Sequence, residues 1–144
     1  NPKLDYMVQS PISGIGNQLI HEIQRKDIQD SLSKLNESYG LFFFYSSKCS
    51  YCIKYSPLLK IFSEVYKIKV MPISIDGGVL PEWSETVIDN GQFAKLGLTN
   101  APVPATVLFD NKNKKLIPVG FGLLTVSELE ERVHKIINEK VSYE

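Results

Sequence analysis

Cys49 and Cys52 are the chain's two cysteines, three positions apart in the stretch LFFFYSSKCSYCIKYSP, residues 41–57. Such a pair can be half of a zinc site, a redox couple, or two small core residues. A structural zinc site takes four ligands, normally two such pairs, and there is no third cysteine. His21 and His134 stand far from the pair and without ligand spacing to each other, and read as helix-surface histidines. No metal is expected. Free cysteines often act as small buried hydrophobes, which is the bland reading of this pair. Position argues against it. Cys49 follows an apolar run and falls where a helix begins, so its sulfur meets unpaired backbone N–H groups and the positive end of the helix dipole. That location favours thiolate over thiol, and the neighbouring Lys48 adds its charge. Cys52, one turn further along, is expected to be more covered. An exposed attacking thiolate beside a shielded resolving thiol is what dithiol exchange requires.

The flanking elements set that geometry. Leu41–Tyr45 is apolar without alternation, which predicts a central strand covered on both faces. Ser50 to Lys69 reads as a helix kinked at Pro57, and Lys69–Ile75 as a second strand closed by Asp76-Gly77-Gly78. The result is a βαβ unit, the context in which C-x-x-C marks redox chemistry. Upstream, residues 1 to 14 read as an extended arm. Ile15, Leu19, Ile20, Ile23, Ile28, Leu32, Leu35 and Tyr39 form one helical stripe, expected to pack on the domain and to end at Gly40. Residues 78–100 read as loop with a short helix over Gln92–Leu96. Thr106–Phe109 and Leu116–Val119 flank the turn DNKNKK as a β-hairpin. Thr125 and Glu128 form a capping box that opens a last helix. Trp83 reads as a cap on local packing more than as a binding residue.

Composition narrows the class. With 144 residues the chain has room for one domain with a real core. Sixteen basic and sixteen acidic residues leave no net charge, so composition makes no case for nucleic acid or an anionic membrane surface. No apolar run approaches the roughly 18 to 20 residues of a membrane span. The first residues lack the apolar region of a signal peptide, and two cysteines make no disulfide framework.

From Leu41 to about Lys140 the chain resembles a thioredoxin fold. Phe42–Tyr45 precedes the C-x-x-C, Pro57 stands where thioredoxins carry a helix-kinking proline, and Val103-Pro104-Ala105 stands where they carry a cis-proline. The segments DGGVLPEW, DNGQFAKLGL and IPVGFGL, together with YMVQSPIS and ESYGLFFFY, resemble more narrowly the TraF-type proteins of F-like conjugative transfer systems. TrbB-like thiol-disulfide isomerases are the nearest similar group. The resemblance implies an α/β, three-layer α/β/α architecture around a central mixed sheet, with an N-terminal helical extension. It divides the chain into an arm and amphipathic helix, 1–39, and a thioredoxin-like domain, 40–144, with an enlarged 77–100 insertion. It implies Cys49 and Cys52 as catalytic residues, with Ser50, Tyr51, Val103 and Pro104 contacting substrate and Pro104 cis. No cofactor is implied, because the cysteines carry the electrons. The implied role is periplasmic thiol–disulfide exchange in conjugative pilus or type IV secretion assembly. The partners would be cysteine-containing transfer proteins and a redox partner. A non-catalytic scaffold of the same apparatus is the alternative. Two departures bear on this. Thioredoxins place a buried acid six positions before the first cysteine, where this chain has Phe43. The intervening pair is Ser50-Tyr51, unlike thioredoxin's Gly-Pro, which points to a less reducing couple.

Overall fold

The apolar stretch YGLFFFY forms the central strand β1 (Tyr39–Tyr45). The structure, a computed structural model, describes residues 11–97 and 102–142. Parallel to β1 lies β2 (Val70–Ser74), and beyond it the two-residue β3 (Val87–Ile88). On the other side β4 (Ala105–Asp110) runs antiparallel to β1 and turns back into β5 (Lys115–Phe121). The sheet order is therefore β3-β2-β1-β4-β5. The helices are α1 (Pro11–Leu32), the one-turn α2 (Leu35–Ser38), α3 (Ser50–Tyr66), the one-turn α4 (Gln92–Lys95) and α5 (Val126–Ser142).

Because successive strand residues point to opposite faces, β1 feeds two cores. Leu41, Phe43 and Tyr45 join Cys52, Tyr55, Leu59 and Phe62 of α3, Leu129 and Val133 of α5, and Leu32 and Leu35. Phe44, on the opposite face, packs with Ile73, Ala105, Val107 and Phe93 of α4. The sheet is thus sandwiched between a thick helical layer and a thin one, the three-layer mixed-sheet arrangement expected. Burying each of these aromatic and aliphatic side chains contributes roughly 1.5–3 kcal/mol. Glu130 of α5 is buried as well, ion-paired to Arg25 of α1 at 3.3 Å and hydrogen-bonded by the Tyr66 hydroxyl at the end of α3.

Several boundaries differ from the sequence expectation. The arm expected over 1–14 falls partly outside the described residues, and from Pro11 the chain is already helical, as a proline in a first turn allows. The N-terminal helix ends at Leu32, not at Gly40. After α2, Tyr39 and Gly40 already belong to β1. Gly40 needs no special space: a Cβ there would lie in ordinary contact, 3.6 Å from the Lys69 carbonyl oxygen across the parallel pair. The apolar stripe packs through Ile28, Leu32 and Leu35, whereas Leu19, Ile20 and Ile23 are exposed. The side chain of Ile15 lies outside the described residues. Helix α3 stops at Tyr66 and reverses at Lys67, which adopts the left-handed conformation (φ 56). The segment 78–100 contains β3 as well as the short helix.

Candidate active site

At the end of β1 the chain turns through Ser46, Ser47 and Lys48 and delivers Cys49 to the start of α3. Cys49 is the helix N-cap (φ −84, ψ 119), and its sulfur accepts the Cys52 backbone N–H at 3.2 Å. Serine or aspartate oxygens usually fill this role. Here a sulfur does, so negative charge on Cys49 Sγ would face an N–H donor and the helix dipole. Both cysteines are free thiols. They differ in access: Cys49 is partly exposed and Cys52 fully buried. Burial first, then the hydrogen bond with Cys49, pushes the Cys52 thiol up to about 12, opposed by a backbone contact from Ser46.

The Val103–Pro104 bond is cis. Its loop meets the dithiol directly, because the Cys49 thiol points at the Val103 carbonyl oxygen, 3.7 Å away. Pro104 is buried, and its own carbonyl accepts the Gly122 N–H at 2.7 Å. Ser50 and Tyr51 occupy the exposed first turn of α3, with Tyr51 61% accessible. Cys49, Cys52 and Val103 thus come together, Pro104 lies directly behind Val103, and Ser50 and Tyr51 flank the exposed sulfur.

In the same core as Cys52, Phe43 is fully buried among aromatic rings. Its centroid lies 5.1 Å from Tyr45, 5.7 Å from Tyr55 and 6.0 Å from Trp83. The Trp83 indole N–H donates to the buried Ser56 hydroxyl at 2.8 Å, and Lys60 lies over the indole ring, so Trp83 caps local packing as expected. The Tyr55 hydroxyl shares a 2.7 Å hydrogen bond with Thr106, and burial raises its pKa above the ordinary phenol range.

One functional-looking residue escaped the sequence reading. Asp76, after β2, accepts hydrogen bonds from the hydroxyls of Ser46 (3.2 Å), Ser47 (2.7 Å) and Ser74 (3.0 Å) and from the N–H groups of Ser47 and Gly78 (both 3.1 Å). These donors, Ser47 foremost, hold its carboxyl well below the usual carboxylate range. The sequence signal was limited to an Asp-Gly-Gly turn, since the serines of the 46–47 turn that it holds lie far back in the chain.

A family model described as TraF, F plasmid transfer operon protein, matches residues 1–134. The chain belongs to the TraF family. It is 29% identical over 134 residues to Protein TraF of Escherichia coli (strain K12), covering 92% of this chain and 53% of that protein. It therefore spans about half the length of the curated TraF relative. Among solved structures, the N-terminal domain of PilB from N. meningitidis aligns with TM-score 0.52 at 14% identity, over 70% of this chain and 81% of that one. A thiol:disulfide interchange protein from Bacteroides sp. aligns with TM-score 0.51 at 19% identity, over 74% and 78%. The thioredoxin domain of a thiol-disulfide oxidoreductase from Bacteroides vulgatus aligns with TM-score 0.50 at 20% identity, over 74% and 84%. At these identities the likeness establishes the thioredoxin fold of this TraF-family chain. Among the described residues, no three His, Cys, Asp or Glu side chains gather as a metal site would need, and no helix is long and apolar enough to cross a membrane.

Proposed function

We propose that this TraF-family chain is a periplasmic thiol–disulfide oxidoreductase that serves the assembly of a conjugative pilus or type IV secretion channel. The observation that carries the chemistry is the asymmetry of the pair: Cys49 Sγ caps a helix and is reachable, while Cys52 is buried and pushed up to about 12. In the forward direction the Cys49 thiolate attacks one sulfur of a substrate disulfide. A Cys49–substrate bond forms, the substrate S–S bond breaks, and the second substrate sulfur leaves as a thiolate and takes a proton. Cys52 then loses its proton and attacks Cys49 Sγ, releasing the other substrate thiol and leaving a Cys49–Cys52 disulfide. Two electrons pass to the substrate, and the reverse sequence donates a disulfide. Val103 and Pro104 would align the substrate backbone beside Cys49, and Ser50 and Tyr51 would border it. The clients would be cysteine-containing transfer proteins, with a redox partner resetting the pair, a reading supported by membership of a conjugative transfer family.

The test is insulin reduction or scrambled-ribonuclease refolding, run with single-cysteine variants. Cys49→Ser abolishes exchange, and Cys52→Ser accumulates mixed disulfides visible by non-reducing electrophoresis. An unchanged rate in Cys49→Ser would sink the assignment. One observation favours a second reading, a non-catalytic scaffold: Phe43 fills the acid's place with packed aromatic rings. Normal pilus assembly in cells carrying Cys49→Ser/Cys52→Ser would select it.

A further inference from the structure

The Asp76 carboxylate gathers donors from three segments: the Ser46–Ser47 turn before α3, Ser74 at the end of β2, and Gly78 in the turn that follows. An exposed aspartate with no structural task does not collect five donors. Ser46 is the hinge of this arrangement. Its hydroxyl donates to Asp76 and accepts the Lys48 N–H at 3.3 Å, and its carbonyl accepts the Cys49 N–H at 3.2 Å. From the other side, Gly78 closes on the same turn. A Cβ there would stand 2.0 Å from Ser47 Oγ and 2.4 Å from Ser47 Cβ, so contact alone, without any special φ, demands glycine. The Tyr45 hydroxyl pins the Gly78 carbonyl at 3.0 Å.

We infer that Asp76, with Gly78, is the positioning residue of the dithiol site, acting on Cys49 through the Ser46–Ser47 turn. Taken with the exchange function on which it rests, this role puts the carboxylate that organises the pair at the rim of the site. The position six residues before Cys49 is left to Phe43. Asp76 is open to solvent, so its direct charge on the sulfurs is screened by salt, and the placement of Cys49 against the Cys52 N–H is what it governs. Lys48, Tyr51 and the two thiols are the titratable side chains of the turn and first helical turn that it braces.

The experiment is alkylation of reduced protein by iodoacetamide, with modification at Cys49 followed by mass spectrometry across the neutral pH range. Asp76→Ala shifts the pH–rate profile to higher pH and slows Cys49 alkylation about tenfold at neutral pH. That is about the weight of one hydrogen bond to a charged sulfur. Asp76→Asn, which keeps one acceptor oxygen, loses less. Ser46→Ala in the Asp76→Ala background adds little, because both act through one turn. A profile that overlays wild type, a faster rate in Asp76→Ala, or full additivity would overturn the inference. Should Asp76→Ala fail to fold, Gly78→Ala tests the same clasp, because its Cβ pushes the Ser47 side chain out of place and slows alkylation. A wild-type rate in Gly78→Ala overturns the inference equally. Alkylation needs no exchange partner, so the two readings fail separately. A wild-type protein that exchanges no disulfide but shows the shift removes the exchange function and leaves the clasp. An exchanging protein with an unmoved profile removes the clasp alone.

Discussion

Replacing Phe43 by aspartate would restore the acid that thioredoxins carry, and the structure says what that does. Phe43 is fully buried with rings on three sides, so Phe43→Ala costs about 3–5 kcal/mol in lost burial and residual cavity. Phe43→Asp adds a carboxyl among rings whose polar groups, the Tyr45 and Tyr55 hydroxyls and the Trp83 N–H, are already engaged. Burial without a partner raises a carboxyl pKa by up to ~3–5 units. A raised folded-state pKa means that the carboxyl is tolerated below its unfolded value of about 3.9, and stability falls as pH rises from there. At about pH 7, roughly three units have been traversed, at ~1.36 kcal/mol each. The gap between Phe43→Asp and Phe43→Ala should therefore widen by about 4 kcal/mol from acid to neutral pH. Against a typical total of ~5–15 kcal/mol, Phe43→Asp is marginal at neutrality. Urea unfolding of both variants at about pH 4 and about pH 7 measures the gap. A constant gap would refute the reasoning, because it would mean that the aromatic pocket already supplies a carboxylate with a donor.

Two further outcomes follow from the same surroundings. Cys52 titrates near 12 in the fold against an ordinary 9.0, so between those values the unfolded chain binds fewer protons and the reduced protein loses stability as pH rises. Cys52→Ser, unfolded by urea over that alkaline range, should show a shallower loss, and an equal slope would contradict the burial of the thiol. Trp83→Phe strips the buried Ser56 hydroxyl of its indole partner and should cost ~1–3 kcal/mol. Part of this should return in Trp83→Phe/Ser56→Ala, and a urea double-mutant cycle without coupling would exclude the contact.

The parts of this fold legible in the sequence are those with local causes. The unbroken apolar run of β1, the helix start at Cys49, the hairpin and the Thr125/Glu128 box all depend on residues within a few positions. That box is present in both directions, Glu128 N–H to Thr125 Oγ1 and Thr125 N–H to Glu128 Oε1. What was misread has distant causes. Gly40 looks like a helix terminator until the Lys69 carbonyl passes beside it in a parallel strand. Val87 and Ile88 are both exposed, so β3 has no alternation to betray it. Leu19, Ile20 and Ile23 carry helical spacing, but periodicity shows that a stripe exists and not what meets it. Asp76 takes three of its hydrogen bonds from Ser46 and Ser47 on the far side of α3, and nothing in Asp-Gly-Gly names those partners.

Helix α3 joins two kinds of contact at its opposite ends. Cys49 caps its start, and Tyr66, its last residue, reaches the Glu130–Arg25 pair that ties down α1. Seventeen residues of helix separate them by about 25 Å at 1.5 Å per residue. A change at the Glu130–Arg25 pair is therefore met first at Tyr66, a full helix length from Cys49.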